Sequence, residues 1–210
     1  MNIYEWISKV IPTNGTIVEA GTSEGNDTVF FSNHCIHGKV YAFEPVENLY
    51  LQALEKTKNR INVHLSNLAL SDKSGTTTIF ISDRFGEAWG SSSLLEPKEH
   101  LVFHPQITFN NKSIVKTITL DNFFSDKNIN VIDLMWLDLQ GAEPSVLKAS
   151  PKTLEKVRYL YTEVSIIETY KDVMLYKDFK VFLNQQGFEV LFEDIPSPDM
   201  GNVLFKNIKM

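Results

Sequence analysis

Thr16-Ile-Val-Glu-Ala-Gly-Thr-Ser-Glu-Gly-Asn-Asp-Thr28 opens with apolar and β-branched residues, turns through Gly21 and Gly25, and runs on into Asp27-Thr-Val-Phe-Phe-Ser-Asn-His34. Thr16 to Ala20 suits a buried strand, and the residues from Asp27 to His34 read as a helix. Strand, glycine turn and helix together present backbone N–H groups and the positive end of a helix dipole to a ligand. A second apolar run, Lys39-Val-Tyr-Ala-Phe43, ends in Glu44-Pro45. An acidic residue at the tip of the neighbouring strand is where a ribose diol would be held. The two features predict a nucleoside-bearing cofactor.

Outward from this pair the chain reads as alternating elements. Ile3, Trp6, Ile7, Val10 and Ile11 recur at helical spacing, predicting an amphipathic lid helix within residues 1–15 that Pro12 and Asn14-Gly15 stop. Pro45 suits the first turn of a helix running to about Lys58. Ile61 to Leu65 is a short strand, followed by Asn67-Leu-Ala-Leu-Ser-Asp72. This completes a βαβαβ half of a doubly wound α/β sheet. Thr76 to Ser82 is strand-like, residues 83–112 have weak periodicity, and Ser113 to Leu120 returns to alternation. A long irregular stretch inside a compact domain is usually functional or mobile. Val131 to Leu139 is a strongly apolar strand, Glu143 to Ala149 a helix, and Arg158 to Val164 a strand rich in aromatics. Tyr176 to Gln186 forms a helix closed by Gly187, and Phe188 to Phe192 and Asn202 to Phe205 are final strands. With no repeat or linker, residues 1–210 read as a single domain.

Composition narrows the function. At 210 residues, 43% hydrophobic and 22% charged, the chain has ordinary globular usage. A net charge of -6 argues against a duplex nucleic-acid surface, which needs clustered Lys and Arg. No apolar run approaches the ~20 residues of a membrane span, and the N-terminal residues lack a signal-peptide pattern. A cytoplasmic protein is the default expectation. The single cysteine, Cys35, reads as core filler and excludes an internal disulfide framework.

The loop Gly21-Thr-Ser-Glu-Gly25 departs from the G-x-G-x-x-G dinucleotide fingerprint, lacking a glycine where a pyrophosphate would press on the backbone. S-adenosylmethionine, with an amino acid in place of phosphates, would not need that glycine. A ligand-free turn is the plain alternative. Glu44 can accept from both ribose hydroxyls, or simply interact with the helix dipole. Asn67 is placed to reach an adenine or is an ordinary turn residue. Asp138 ends an apolar strand, where a carboxylate needs a partner such as a cation; Glu143 fits a helix start. His100 and His104 stand at i and i+4, a spacing that can hold a metal. No third ligand stands out although Glu96 and Glu99 are close, so no metal is expected and a loop or substrate-rim role is preferred. Glu163 is a general base or a structural carboxylate.

Laid out in this order, the chain resembles the FkbM family of S-adenosylmethionine-dependent methyltransferases over roughly residues 16 to 192. The blocks are Val18-Glu-Ala-Gly-Thr-Ser-Glu-Gly25, Val40-Tyr-Ala-Phe-Glu-Pro45, Asn67-Leu-Ala-Leu-Ser-Asp72 with Gly75, Ser92-Ser-Leu94, Lys116-Thr-Ile-Thr-Leu-Asp121, Leu137-Asp-Leu-Gln-Gly-Ala-Glu143 and Tyr161-Thr-Glu-Val164. Glu19 and Thr22 replace the aspartate and alanine usual in the first block, and Gln140 stands where glutamate is commonest. The resemblance implies a Rossmann-like class I methyltransferase fold, a seven-stranded and mostly parallel sheet with helices on both faces and an antiparallel last strand. It implies S-adenosylmethionine contacts from Glu19, Gly21, Thr22, Glu44, Asn67 and Asp138, and Gly25 and Leu68 are expected to join them. It also implies O-methylation of a hydroxyl on a sugar, glycan or small metabolite. A general base is sought among Asp138, Glu163, His100 and His104, with residues 83–112 as the substrate-facing wall. The competing expectations are an NAD(P)-dependent oxidoreductase, disfavoured by the missing glycine and the lack of a Tyr-x-x-x-Lys pair, and a methyltransferase-like module without turnover.

Overall fold

The computed structural model describes residues 2–210. Helix α1 (Ile3–Val10) starts where the Asn2 side chain accepts from the Tyr4 and Glu5 N–H groups, satisfying two of the free donors of the first turn. Strand β1 (Thr16–Ala20), helix α2 (Asn26–His34), strand β2 (Lys39–Phe43), helix α3 (Glu47–Thr57) and strand β3 (Val63–Ser66) follow. Helix α3 begins after the residue expected from Pro45, because the Glu44 carboxylate takes the Val46 N–H at 2.8 Å and holds the chain in a turn.

The middle of the chain forms β4 (Ala69–Leu70), β5 (Gly75–Arg84), β6 (Glu87–Ala88), α4 (His100–Phe103), β7 (Thr108–Ile118) and α5 (Leu120–Phe123). The last third forms β8 (Ile132–Leu137), α6 (Glu143–Lys148), α7 (Pro151–Leu154), β9 (Val157–Ser165), α8 (Tyr176–Gln186), β10 (Phe188–Asp194) and β11 (Met200–Asn207).

Seven strands form one sheet in the order β10-β11-β9-β8-β1-β2-β3. Strand β1 pairs in parallel with β2 on one side and β8 on the other, with Val18 opposite Tyr41 and Met135. Strand β11 runs antiparallel to both β9 and β10. Alternation along β1 sends its side chains to two cores. Val18 and Ala20 join Met135, Leu137 and Val146 on one face, while Ile17 meets Val40, Phe31 and Leu134 on the other. Helix α1 adds Ile7, and the residue that follows the helix adds Ile11, to this second core, so the helix covers a sheet face. The chain leaves the sheet after β3 and re-enters beside β1, and the order of strands reverses there. Ligands of open α/β sheets collect in the crevice at such a reversal.

Between the two halves lies a second, four-stranded sheet in the order β4-β7-β5-β6. Strands β5 and β7 pair antiparallel, with Thr76 opposite Lys116 and Ile79 opposite Ser113. The weakly periodic stretch 83–112 therefore contains the β5–β6 hairpin tip, α4 and the first part of β7. Most side chains from Thr108 to Ile114 are exposed, so no apolar alternation marks that part of the strand in the sequence.

Candidate functional site

The carboxyl ends of β1, β2 and β8 open on a cleft. Its floor is Gly21 and Ser23 from the first loop, and its rim carries Glu44 and Pro45 after β2, Leu68 to Leu70 after β3, and Asp138 and Leu139 after β8. Trp89, Gly90, Ser92 and Leu94 close it from the inserted segment. The loop is tied to its neighbours through the backbone. The Gly21 and Thr22 N–H groups donate to the Phe43 carbonyl at 3.1 and 3.2 Å, and the Asp138 N–H donates to the Ala20 carbonyl at 2.9 Å.

Glu44 is buried at the centre of this arrangement, and each of its carboxylate oxygens accepts one backbone N–H at 2.8 Å, from Ser23 and from Val46. Each oxygen keeps a lone pair for a ligand donor. Burial pushes its pKa up to about 7, against the pull of the two N–H groups. Asn67 donates to the Glu44 and Pro45 carbonyls at 2.9 and 3.2 Å, so it clamps the β2 turn, and its neighbour Leu68 is the residue on the cleft wall. Glu19 lies beneath the loop, not on the wall. It accepts the Thr28 hydroxyl at 2.7 Å, and burial holds its carboxyl well above the usual range. Thr22 is buried beside it with its hydroxyl unpartnered, and Gly25 opens α2 with its N–H on the Thr22 carbonyl at 2.9 Å.

At the other end, Asp138 lies 2.6 Å from the side-chain amide of Gln140, which also reaches Glu163 at 3.1 Å. Glu143 accepts the Leu139 N–H at 2.6 Å. Oxygens of Asp138, Glu143 and Glu163 lie within 4.8 Å of one another, with the Gln140 amide inserted between two of them. Burial raises Asp138 to about 6 and Glu143 to about 8. Burial and then the charges of Asp138 and Glu143 carry Glu163 well above the carboxylate range. Gln140 has a φ of 53° and its carbonyl accepts the Ser93 hydroxyl at 2.8 Å, joining the inserted segment to the rim.

The structure sets the two histidines apart from the cleft wall. His100 is buried with its Nδ1 unpartnered, its ring 4.7 Å from that of His104 and 5.3 Å from that of Tyr170. Burial, and then His104, lower its pKa to about 4, which makes it a weak proton acceptor at neutral pH. His104 faces Asp199 at 3.0 Å. Of the four candidate bases, Asp138 and Glu163 are brought together and the histidines stand behind Tyr170. Tyr170 itself, completely buried and hydrogen-bonded to Gln140, carried no signal in the sequence because residues 166–175 follow no regular period. Trp89 sits in the stretch already singled out.

Among the described residues, the cleft lining includes carboxyls but no lysine or arginine. A pyrophosphate would find no cation there, whereas a nucleoside carrying an ammonium and a sulfonium meets complementary charge. Strand order, glycine loop and acidic rim define an S-adenosylmethionine-dependent methyltransferase of the class I fold. Comparison with known proteins agrees. Magnesium protoporphyrin IX methyltransferase from Synechocystis PCC 6803, solved with bound S-adenosylmethionine, superposes with a TM-score of 0.56 at 10% identity over 98% of this chain and 76% of that one. Fibrillarin from Aeropyrum pernix, with natively bound S-adenosylmethionine, gives a TM-score of 0.52 at 11% identity over 93% of this chain and 68% of that one. In sequence, the 2-O-methyltransferase NoeI of Sinorhizobium fredii (strain NBRC 101917 / NGR234) is 30% identical over 197 residues, covering 92% of this chain and 80% of that protein. Residues 19–190 match the methyltransferase FkbM domain, and the chain belongs to that family. No helix among the described residues is long and apolar enough to cross a membrane.

The raised carboxyls give a pH prediction. Asp138 at about 6, Glu44 at about 7 and Glu143 at about 8 keep protons in the folded state that the unfolded chain has already lost. At these sites the folded cofactor-free protein binds more protons, so their contribution to stability is fully present below the unfolded carboxylate value of about 4 and is lost as pH rises from there to about 8. Thermal melts over this range are expected to lose several degrees in Tm. A Tm that is flat or rising would contradict the assigned shifts.

Proposed function

We propose that this protein moves the methyl group of S-adenosylmethionine to a hydroxyl on a sugar residue or a small metabolite. The observation that carries the reading is the acidic cleft, lined by no lysine or arginine among the described residues, with Glu44 at the tip of β2 and Asp138 at the tip of β8. Glu44 would accept from the ribose hydroxyls, Leu68 would pack on the adenine, and Asp138 would face the ammonium group. Glu19, Thr22, Gly25 and Asn67 would act from behind, holding the loop and the β2 turn in shape. Bound S-adenosylmethionine supplies a methyl group on a positively charged sulfur, already electrophilic.

The chain's own contribution is alignment, exclusion of water and proton removal. Alignment and exclusion can supply up to ~7–11 kcal/mol in ideal cases. The segment 83–112 provides the wall, with Trp89 and Leu94 as its apolar side. A general base is worth ~10²–10⁴-fold, and Asp138 on the cleft wall, with Glu163 behind it across Gln140, would take the hydroxyl proton as the O–C bond forms and the methyl–sulfur bond breaks. The hydroxyl acceptor is supported by the 2-O-methyltransferase relative. A net charge of -6 favours a glycan or metabolite over a nucleic acid.

Calorimetric titration tests the cofactor side. S-adenosylhomocysteine is expected to bind with micromolar affinity and NAD not at all, and selective NAD binding would overturn the assignment. On the acceptor side, a labelled methyl group transferred to fractionated glycans and metabolites should survive mild alkali as an ether. Label released as a methyl ester would place the acceptor among carboxylates instead.

A further inference from the structure

The hydroxyl of Tyr170 lies within hydrogen-bond reach of two acceptors, the Ser91 carbonyl at 2.9 Å and the Gln140 amide oxygen at 2.8 Å. A phenol has one hydrogen to give, so one acceptor is left without it. A half-turn of the Gln140 amide removes the conflict without moving any heavy atom, because amide nitrogen and oxygen are told apart only by their partners. Nitrogen then donates to the Tyr170 oxygen, and Tyr170 donates to Ser91. The amide oxygen now faces Asp138 at 2.6 Å and Glu163 at 3.1 Å. The shorter contact suits an O–H···O bond, about 2.5–3.0 Å. An acid O–H on Asp138 fits it.

We infer that Gln140, held by Tyr170, turns its amide oxygen toward Asp138 and Glu163 and stores a proton on that carboxyl pair until the cofactor's ammonium group displaces it. The inference rests on the proposed placement of the ammonium at Asp138. Around the pair stand Glu143 from α6, Asp199 before β11, Asp27 from α2 and the Tyr170 phenol. No lysine or arginine among the described residues forms an ion pair with Asp138, Glu143 or Glu163. Crowded, partly buried and uncompensated, the carboxyls favour the neutral form, in line with their raised pKa values. A cation beside Asp138 reverses that preference. The proton leaves to solvent, the amide swings its NH₂ onto the carboxylates, and Tyr170 gives its hydrogen to the Gln140 oxygen. The emptied carboxylate is then able to accept the proton of the acceptor hydroxyl. Gln140 and Tyr170 are positioning residues in this scheme, since neither touches the reacting atoms.

Titration calorimetry of the whole protein with S-adenosylhomocysteine, at pH 6 in two buffers of different ionisation enthalpy, counts the protons released. Wild type is expected to release protons on binding. In Tyr170→Phe the NH₂ loses its hydroxyl acceptor and turns to the carboxyls, so the count is expected to fall by about half a proton or more. Glu44 feels the Asp138 charge, so the same pair of titrations in a Glu44→Gln background removes its share of the count. Release that is absent in wild type, or unchanged in Tyr170→Phe, overturns the inference. Failure of wild type to bind S-adenosylhomocysteine overturns the proposed function itself. If Tyr170→Phe does not fold, a ¹³C carboxyl titration of the cofactor-free wild type decides. A resonance removed by Glu163→Gln or Asp138→Asn and titrating near or above pH 6 supports the stored proton. Titration of both groups at ordinary values, about 4, refutes it.

Discussion

Replacing Glu44 by alanine is expected to weaken S-adenosylhomocysteine binding at least a hundredfold and to abolish methyl transfer with it. A hydrogen bond to a charged group contributes about 1.5–3 kcal/mol, and the ribose diol offers two donors to this one carboxylate. A hundredfold loss corresponds to about 2.7 kcal/mol, well inside what two such bonds supply after desolvation is subtracted. The same carboxylate also accepts the Ser23 and Val46 N–H groups at 2.8 Å. Glu44→Ala therefore frees the glycine loop and the start of α3 as well as the ribose. Glu44→Gln keeps one acceptor oxygen and the side-chain volume, and is expected to lose affinity by only about tenfold, one hydrogen bond's worth. Calorimetry of the two variants beside thermal melts separates recognition from folding. A Kd for Glu44→Ala within threefold of wild type, in a protein that still melts cooperatively, would remove Glu44 from the cofactor site.

The second large effect is expected at Gly21. A methyl group added there would lie 1.9 Å from the Asp138 carbonyl oxygen, on a residue whose φ is +87°. The left-handed backbone costs an L-residue about 1–2 kcal/mol. The clash adds to this, because the obstacle is backbone at the tip of β8 and not a flexible side chain. We expect Gly21→Ala to lower stability by about 3–5 kcal/mol, a fall in Tm on the order of 10 °C at this chain length. Methyl transfer is expected to vanish because Asp138 is pushed from the rim. Gly86 is the control. Its φ is +91° and an added methyl meets nothing within 4 Å, so Gly86→Ala carries the backbone cost alone and should lower Tm by only a few degrees. Equal shifts for the two variants would show that the close approach of β1 to β8 does not matter.

Much of this molecule is legible from residue order. In the run Thr16–Ala20, Val18 and Ala20 fill one core and Ile17 the other, with Glu19 the one carboxyl, so the apolar and β-branched composition marks it as a central strand. Gly21 and the Glu44-Pro45 tip are local signals too, since a left-handed turn and a strand-end carboxylate each need a particular residue type at one position. Other features depend on contacts distant in sequence. Strand β7 begins among exposed polar residues and is held by pairing with β5, not by its own pattern. Asn67 reads from sequence as a residue placed to reach an adenine, and only the structure shows its amide on the Glu44 and Pro45 carbonyls. His100 and His104 have the spacing of a metal pair, yet His100 is buried against Tyr170 and His104 faces Asp199, and neither lines the cleft.

Local propensity and periodicity thus settled the βαβαβ half, the glycine loop and the two rim carboxyls, because each is written within a few neighbouring residues. The protonation of Asp138 and Glu163, the Gln140–Tyr170 link and the closure of the cleft by Trp89 depend on side chains from separate strands and loops meeting away from water. Desolvation and hydrogen-bond supply are properties of that meeting, and no single stretch of sequence contains them.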